Sequence, residues 1–316
     1  GQGEHVDDAG DEPLEPLVAA EVGYHQVDLA GDEPLEPLVA GVIHVFHLAG
    51  LSSSQAGEEE MRRANVAGTE NLLAAAHAEG VQRVLHMSTS SIYGKDVQLP
   101  QPVPEDVEPH PSAGYAETKW QGEQAAWGFA DKGLPVTVVR PVTVYGPGNI
   151  KLLGSTILDA AIERYAGLEV FAVPAEPVEL RMVHLDDVVS ACIHLAEHDQ
   201  AAGRAYNIAS DVYPDSHQVG AIVAERLGLA LEPTDDPDRG LSYEQRSEVR
   251  DRMLAAGMRD DIYLKEERIR FLKKANPNNR LSLRELRNSG FEPQVTDITQ
   301  SIPATIRWYE EQRWIL

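Results

Sequence analysis

Hydrophobic and polar positions along the chain fall into two alternating rhythms. Short runs rich in β-branched residues are separated by longer stretches with helical apolar spacing. VIHVFHLAG (residues 42–50) predicts a strand ending in small residues, and NVAGTENLLAAAHAEG (65–80) predicts a helix with a glycine stop. RVLHMSTS (83–90) predicts the next strand, TKWQGEQAAWGFADKG (118–133) the next helix, and PVTVVRPVTVYG (135–146) a strand running into a loop. Such alternation predicts an α/β fold, a doubly wound parallel sheet with crossover helices. Ligands in that architecture bind at the carboxyl ends of the strands.

Beyond residue 148 the rhythm loosens into a smaller C-terminal lobe. Helices are expected at 155–165, 216–227, 242–256 and 297–312, a last strand of the main sheet at 204–209, and a polar connector at 232–240. The proline-rich stretch LPQPVPEDVEPHP (99–111) reads as an ordered loop over the site, because proline cannot serve a central strand. A verbatim repeat stands at the front: AGDEPLEPLVA occupies residues 9–19 and again 30–40.

Composition narrows the function classes. The 316 residues can bury a sizeable core, and a net charge of -24, from 51 acidic against 27 basic residues, repels phosphate backbones and anionic membranes. Neither nucleic acid nor membrane is an expected partner. No run of 18 apolar residues and no leader pattern is present, so the expected compartment is the cytoplasm. Cys192, the single cysteine, lies in an apolar run and reads as a small buried hydrophobe. His44, His47, His86 and His184 fall on predicted strands without ligand spacing, so no metal site is expected.

Tyr115 and Lys119, four apart in GYAETKWQGE, share one face at the start of a helix. A phenol with a pKa of about 10 must drop by about three to work near neutral pH, which takes about 4 kcal/mol. An ammonium about 5 Å away, at an effective dielectric of about 20, supplies roughly 3 kcal/mol of that. STSSIYG (88–94) and RPVTVYGPG (140–148) each follow a predicted strand, placing hydroxyls and a Pro/Gly-rich loop at strand ends.

These motifs resemble the extended short-chain dehydrogenase/reductases, the NAD-dependent epimerase/dehydratase family, from about Tyr24 to the C-terminus. VFHLAG is similar to the family's strand-four motif beside the cofactor riboses, NVAGTENLL to its NVxGTxNLL helix, and STSSIYG to its catalytic serine/threonine motif. YAETK is similar to YxxSK, RPVTVYGPG to RxxNVYGPG, RMVHLDDVV to RxFVHVDDVV, and YNIAS to YNVGS. The resemblance implies a Rossmann-like fold, with residues 1–23 an atypical duplicated segment, 24–150 the dinucleotide-binding domain, and 151–316 mostly substrate lobe with segments at about 180–210 returning to the main sheet. It implies Thr89, Tyr115 and Lys119 as catalytic residues: Tyr115 the proton donor and acceptor, Lys119 lowering its pKa and holding the nicotinamide ribose, and Thr89 holding the substrate oxygen. It also implies NAD, or NADP, held by His47, Ala49, Gly50, Asn65, Lys119, Pro141 and Val144, and a small-molecule substrate held by Thr89, Ser90, Thr143 and Arg181. Family members commonly pair as homodimers through the helices after Asn65 and around Lys119.

The implied activity is hydride transfer between nicotinamide and a secondary alcohol or ketone carbon, of a sugar nucleotide in an epimerase-like reaction. Two alternatives stand beside it: a reductase of a hydroxysteroid, dihydroflavonol or other small ketone, and a catalytically silent nucleotide-binding protein on the same fold. Four departures bear on the choice. Thr143 replaces the asparagine before VYGPG, and Arg181 stands three rather than four residues before His184, which turns a strand side chain to the other face. Ser90 and Ser91 stand where dehydratases carry an acidic pair, which makes dehydration the least expected reaction. At the front, no GxxGxxG turn precedes YHQVDLAG. The second repeat copy fits a strand at 24–28 and a helix at 32–39, whereas residues 1–23 are expected to be a duplicated or misassigned stretch rather than the native beginning.

Overall fold

A computed structural model describes residues 23–52, 56–236, 239–262, 264 and 276–316; residues 1–22, which hold the first repeat copy, lie outside it. In chain order the described strands are β1 (His44–His47), β2 (Arg83–Met87), β3 (Val136–Pro141), β4 (Thr143–Tyr145), β5 (Val170–Pro174), β6 (Met182–His184), β7 (Arg204–Ile208) and β8 (Ala230–Thr234). The helices are α1 (Glu36–Val39), α2 (Glu58–Arg62), α3 (Gly68–Ala78), α4 (Tyr115–Ala130), α5 (Leu153–Tyr165), α6 (Leu185–Glu197), α7 (Ser216–Leu227), α8 (Tyr243–Ala255), α9 (Arg284–Asn288) and α10 (Ile298–Glu311).

The main sheet is parallel throughout, in the order β1-β2-β3-β7, with His47 opposite His86 and Arg140 opposite Asn207. Its strands are near-continuous apolar runs because both faces are covered. Val84, Val136 and Val138 pack on Leu73, Ala76 and Ala126 of α3 and α4. Leu85, Val139 and Ile208 point the other way, onto Val188, Ala191 and Leu195 of α6. This is the Rossmann-like, doubly wound architecture that the alternating pattern predicts.

A third apolar cluster forms the C-terminal lobe, where α5, α7 and α10 pack with the parallel pair β5–β8. A buried ion pair, Arg246 Nη1 to Asp159 Oδ1 at 2.7 Å, ties α8 to α5. Local capping fixes the helix starts: Asp215 accepts from the Gln218 amide at 2.8 Å while Gln218 returns a bond to the Asp215 amide, and Ser242 and Gln245 do the same for α8. Among the described residues no helix is long and apolar enough to cross a membrane.

Several elements differ from expectation. Residues 24–28 form no strand, since they have no ladder partner among the described residues and Tyr24 is 81% exposed. The helix expected at 32–39 is the single turn of α1. β6 pairs with β4 in a sheet of its own, so only β7 of the 180–210 stretch returns to the main sheet. The connector expected at 232–240 begins as the end of β8. Among the described residues β1 is hydrogen-bonded to β2 alone, and Phe46 and Leu48 are exposed.

Between α2 and α3 the helix widens into a π turn over Arg63–Ala67, packed against α4. A Cβ on Gly122 of α4 would lie 2.4 Å from the Asn65 carbonyl oxygen, so only glycine permits this approach. Alanine gains about 1 kcal/mol over glycine in a helix, whereas overpacking typically costs about 1–3 kcal/mol against rigid backbone. Gly122→Ala is therefore expected to lower the urea midpoint; a raised midpoint would show that α4 and the π turn are not in this contact.

Candidate active site

β2 ends at Met87, and the chain turns at once into a short helical turn, Ser90–Tyr93, capped by Thr89. Thr89 Oγ1 accepts from the Ser91 amide at 3.2 Å, which fixes the hydroxyl at the strand's carboxyl end. Tyr115 opens α4 directly opposite, and its phenol meets the Thr89 side chain. Between them a 690 Å³ cavity runs past Met87, Ser88, Pro141, Thr143, Val144 and Asn149. Its far wall is apolar, with Phe46 and Leu48 from the β1 side and Val188, Val189 and Ile193 from α6.

Burial drives the electrostatics. Desolvation raises the Tyr115 pKa, opposed by the hydrogen bond with Thr89. The lowering by Lys119 expected from the sequence is not realised, because the ammonium is drawn beneath the sheet end and donates to the Met87 carbonyl at 2.6 Å. Burial brings Lys119 itself down to about 8, opposed by the Glu123 carboxylate one turn along α4. His47 and His86 lie nearby, ring centroids 5.2 Å apart. Burial, with the Lys119 charge, pushes His47 down to about 4 and His86 well below its usual range.

The structure brings Thr89, Ser90, Tyr115, Pro141, Thr143 and Val144 together on the cavity wall. His47 and Asn65 stand behind it. His47 Nε2 bonds Thr69 Oγ1 at 2.8 Å, while the Asn65 amide accepts from the Leu51 amide at 2.8 Å and donates to the Leu51 carbonyl at 2.9 Å and Thr118 Oγ1 at 3.0 Å. Asn65 thus anchors the loop of Ala49 and Gly50 to α4. Arg181 lies elsewhere, paired with Glu179 and stacked on Tyr213. Sequence reasoning missed Ser88, Asn149, Lys151 and Asn279, all on the wall. Ser88 and Asn149 are neighbours of recognised motifs and could have been found; Asn279 arrives from the far end of the chain with no local signal.

A second network braces the site. Arg140 of β3 donates to both Glu123 oxygens, at 2.6 and 3.3 Å, to the Tyr93 hydroxyl at 2.8 Å and to the Glu105 carbonyl at 2.7 Å. The 99–111 loop is therefore ordered as expected, but it packs behind the catalytic turn and contributes no residue to the cavity wall.

The model of the NAD dependent epimerase/dehydratase family matches residues 8–209, well over half of the chain. The chain belongs to this family. The match begins upstream of Tyr24, where the motif resemblance starts. Among relatives of the family member, GDP-6-deoxy-D-mannose reductase of Pseudomonas aeruginosa is 30% identical over 214 residues, spanning 64% of this chain and 69% of that protein. The 4-hydroxy-2-methyl-3-oxo-4-farnesyl-3,4-dihydroquinoline-1-oxide ketoreductase of Stigmatella aurantiaca is 37% identical over 118 residues, 36% of this chain and 34% of that one. The solved structure of MoeE5 in complex with UDP-glucuronic acid and NAD superposes with a TM-score of 0.66 at 25% identity, covering 91% of this chain and 85% of that one.

The family's NAD can be tested against the residues present. At its nicotinamide end they fit through an orphaned hydroxyl beside Gly50, whose backbone packs on Asn65: an added Cβ would lie 2.9 Å from Asn65 Oδ1 and 3.7 Å from Lys119 Nζ. The Ser88 hydroxyl, buried on the cavity wall, has no hydrogen-bond partner among the described residues. At the pyrophosphate end the described residues include no glycine-rich turn.

The buried ammonium has a measurable cost. A lysine held near 8 against an unfolded value of 10.5 destabilises the fold by about 3 kcal/mol when both states are protonated. The unfolded chain binds the extra proton between those values, so stability rises as pH climbs from about 8 to about 10.5. Lys119→Met is expected to stabilise the protein by up to about 3 kcal/mol at pH 7 and to lose that advantage by pH 10.5, read by urea unfolding at both pH values.

Proposed function

We propose that the chain is an NAD(P)-dependent reductase or epimerase acting at a secondary alcohol or ketone carbon of a sugar nucleotide. The observation that carries this reading is the Tyr115 phenol meeting Thr89 at the wall of a 690 Å³ cavity at the strand ends, with Lys119 buried beneath. Similarity to GDP-6-deoxy-D-mannose reductase and to MoeE5 in complex with UDP-glucuronic acid supports the substrate class.

The chain's own residues divide the work. Thr89 holds the reacting oxygen, and Tyr115 gives or takes the proton at that oxygen. A phenol raised by burial is fully protonated at neutral pH, which suits it to donate as a carbonyl is reduced. Lys119 is placed to hold the nicotinamide ribose, and Pro141 and Val144 to line the ring. The bound nicotinamide supplies or takes up the hydride. Residues 24–150 and β7 would form the dinucleotide-binding part, and the cluster around α5, α7 and α10 the substrate lobe.

A second reading, reduction of a small apolar ketone, is favoured by the apolar wall of Phe46, Val188, Val189 and Ile193 and by the engagement of Arg181 with Glu179. The similarity to the Stigmatella ketoreductase supports it. For the assembly we infer a homodimer through the groove between α3 and α4, lined by Asn71, Ala74, Ala125 and Gly128.

Tyr115→Phe is expected to cut NADH-dependent turnover of a nucleotide-linked keto sugar by about 10²–10⁴-fold while NADH binding, followed by fluorescence, persists. Undiminished turnover by the variant would refute the role given to Tyr115.

A further inference from the structure

Asn279 reaches the cavity wall from the far end of the chain, as the last residue of the short helical turn Pro277–Asn279. Asn276 caps that turn, its side chain accepting from the Asn278 amide at 3.0 Å. The turn is stapled to the segment that follows Thr89: the buried Asn278 donates from Nδ2 to the Gly94 carbonyl at 3.0 Å and to the Val97 carbonyl at 2.9 Å. Beyond it the backbone pairs with the 99–111 loop. The Arg280 carbonyl accepts from the Val103 amide at 2.7 Å, and the Ser282 amide donates to the Val103 carbonyl at 2.8 Å. Position 279 is thereby fixed from both sides by contacts that its own side chain does not make.

The side chain itself is occupied at one end. Asn279 Oδ1 accepts from Ser90 Oγ at 3.3 Å and from Asn276 Nδ2 at 3.4 Å. The amide nitrogen carries two further N–H donors, and among the described residues neither has an acceptor. Ser90 directly follows Thr89, so the residue that orients this amide is the neighbour of the one given the reacting oxygen. A pocket lined largely by apolar side chains orients its ligand through a small number of polar groups, and Asn279 extends the polar side that Thr89 and Ser90 begin.

We propose that Asn279 is a specificity residue whose side-chain amide donates to a second oxygen of the substrate, on the carbon next to the one whose oxygen Thr89 holds. The proposal rests on the reading of this cavity as the active site. Oxygens on neighbouring carbons are the pair that two such closely set groups can hold together. The second oxygen stays a hydroxyl while its neighbour passes between alcohol and ketone, so it accepts from the amide on both sides of the hydride transfer. The inferred substrate class is therefore an α-hydroxy ketone and the vicinal diol it interconverts with, rather than a ketone standing alone in an apolar frame. A site built to hydrogen-bond a hydroxyl discriminates against the analogue that lacks it, because the donor is then left without a partner.

Two matched pairs test this: UDP-galactose with its 3-deoxy analogue, and 2-hydroxyacetophenone with acetophenone. Within each pair the partner lacks only the hydroxyl beside the reacting carbon. In Asn279→Leu, which keeps the side chain's size and removes the donor, the ratio of kcat/KM for the hydroxylated over the deoxy member is expected to fall by about three- to tenfold for whichever pair is turned over. A ratio unchanged within about twofold overturns the proposal. Binding is read separately on the unsubstituted protein by NMR with ¹⁵N-labelled asparagine, the Asn279 side-chain signal being assigned by its loss in Asn279→Leu. That signal is expected to move with a hydroxylated member and stay with its deoxy partner. If it does so while neither pair is turned over, the proposed reaction fails and the hydroxyl site stands; if it moves alike with both members, with neither, or only with NADH, the site fails.

Discussion

The geometry of the candidate site depends on one buried ion pair, Arg140 with Glu123. Arg140 belongs to β3, Glu123 to α4 one turn beyond Lys119, and the same guanidinium reaches Tyr93, which closes the turn bearing Thr89. Strand, helix and turn are thereby locked to one another at a single point. Tyr93 passes the constraint on to Asn207 of β7 at 2.8 Å, so three neighbouring strand ends share it. Removing one partner would leave an uncompensated buried charge, a loss of about 3–5 kcal/mol. Position rather than net stability is what such a pair contributes here, since a well-packed apolar substitute could hold the core but could not aim three elements at once.

Much of this frame was legible in the sequence. The alternation of apolar runs set the parallel sheet, and the residues expected on the wall at positions 89, 115, 141, 143 and 144 are there, because motifs at strand ends carry their own geometry. What the letters could not show is where side chains spend their hydrogen bonds. Asn65 turns its amide onto the Leu51 backbone, and Lys119 gives its ammonium to Met87, through contacts set by a π turn and a strand end. The expected strand at 24–28 failed for a related reason: a strand is defined by its neighbour, and none is present among the described residues.

The cavity joins two kinds of surface. Its floor is polar and tightly braced, with Thr89, Ser88 and Tyr115 at the strand ends, while its far wall is apolar, with Phe46 and Leu48 beside Val188, Val189 and Ile193. The first kind of surface fixes a reacting oxygen; the second accepts shape.

The burial of His47 and His86 beside Lys119 makes the fold sensitive to acid. In the unfolded chain both imidazoles take up a proton near 6.5, whereas His47 in the fold resists until about 4 and His86 is held well below its usual range. Each is a group whose folded value is depressed, so unfolding draws protons in and stability drains away as pH falls from about 6.5 toward 4. Acid therefore acts on buried rings that sit beside Lys119.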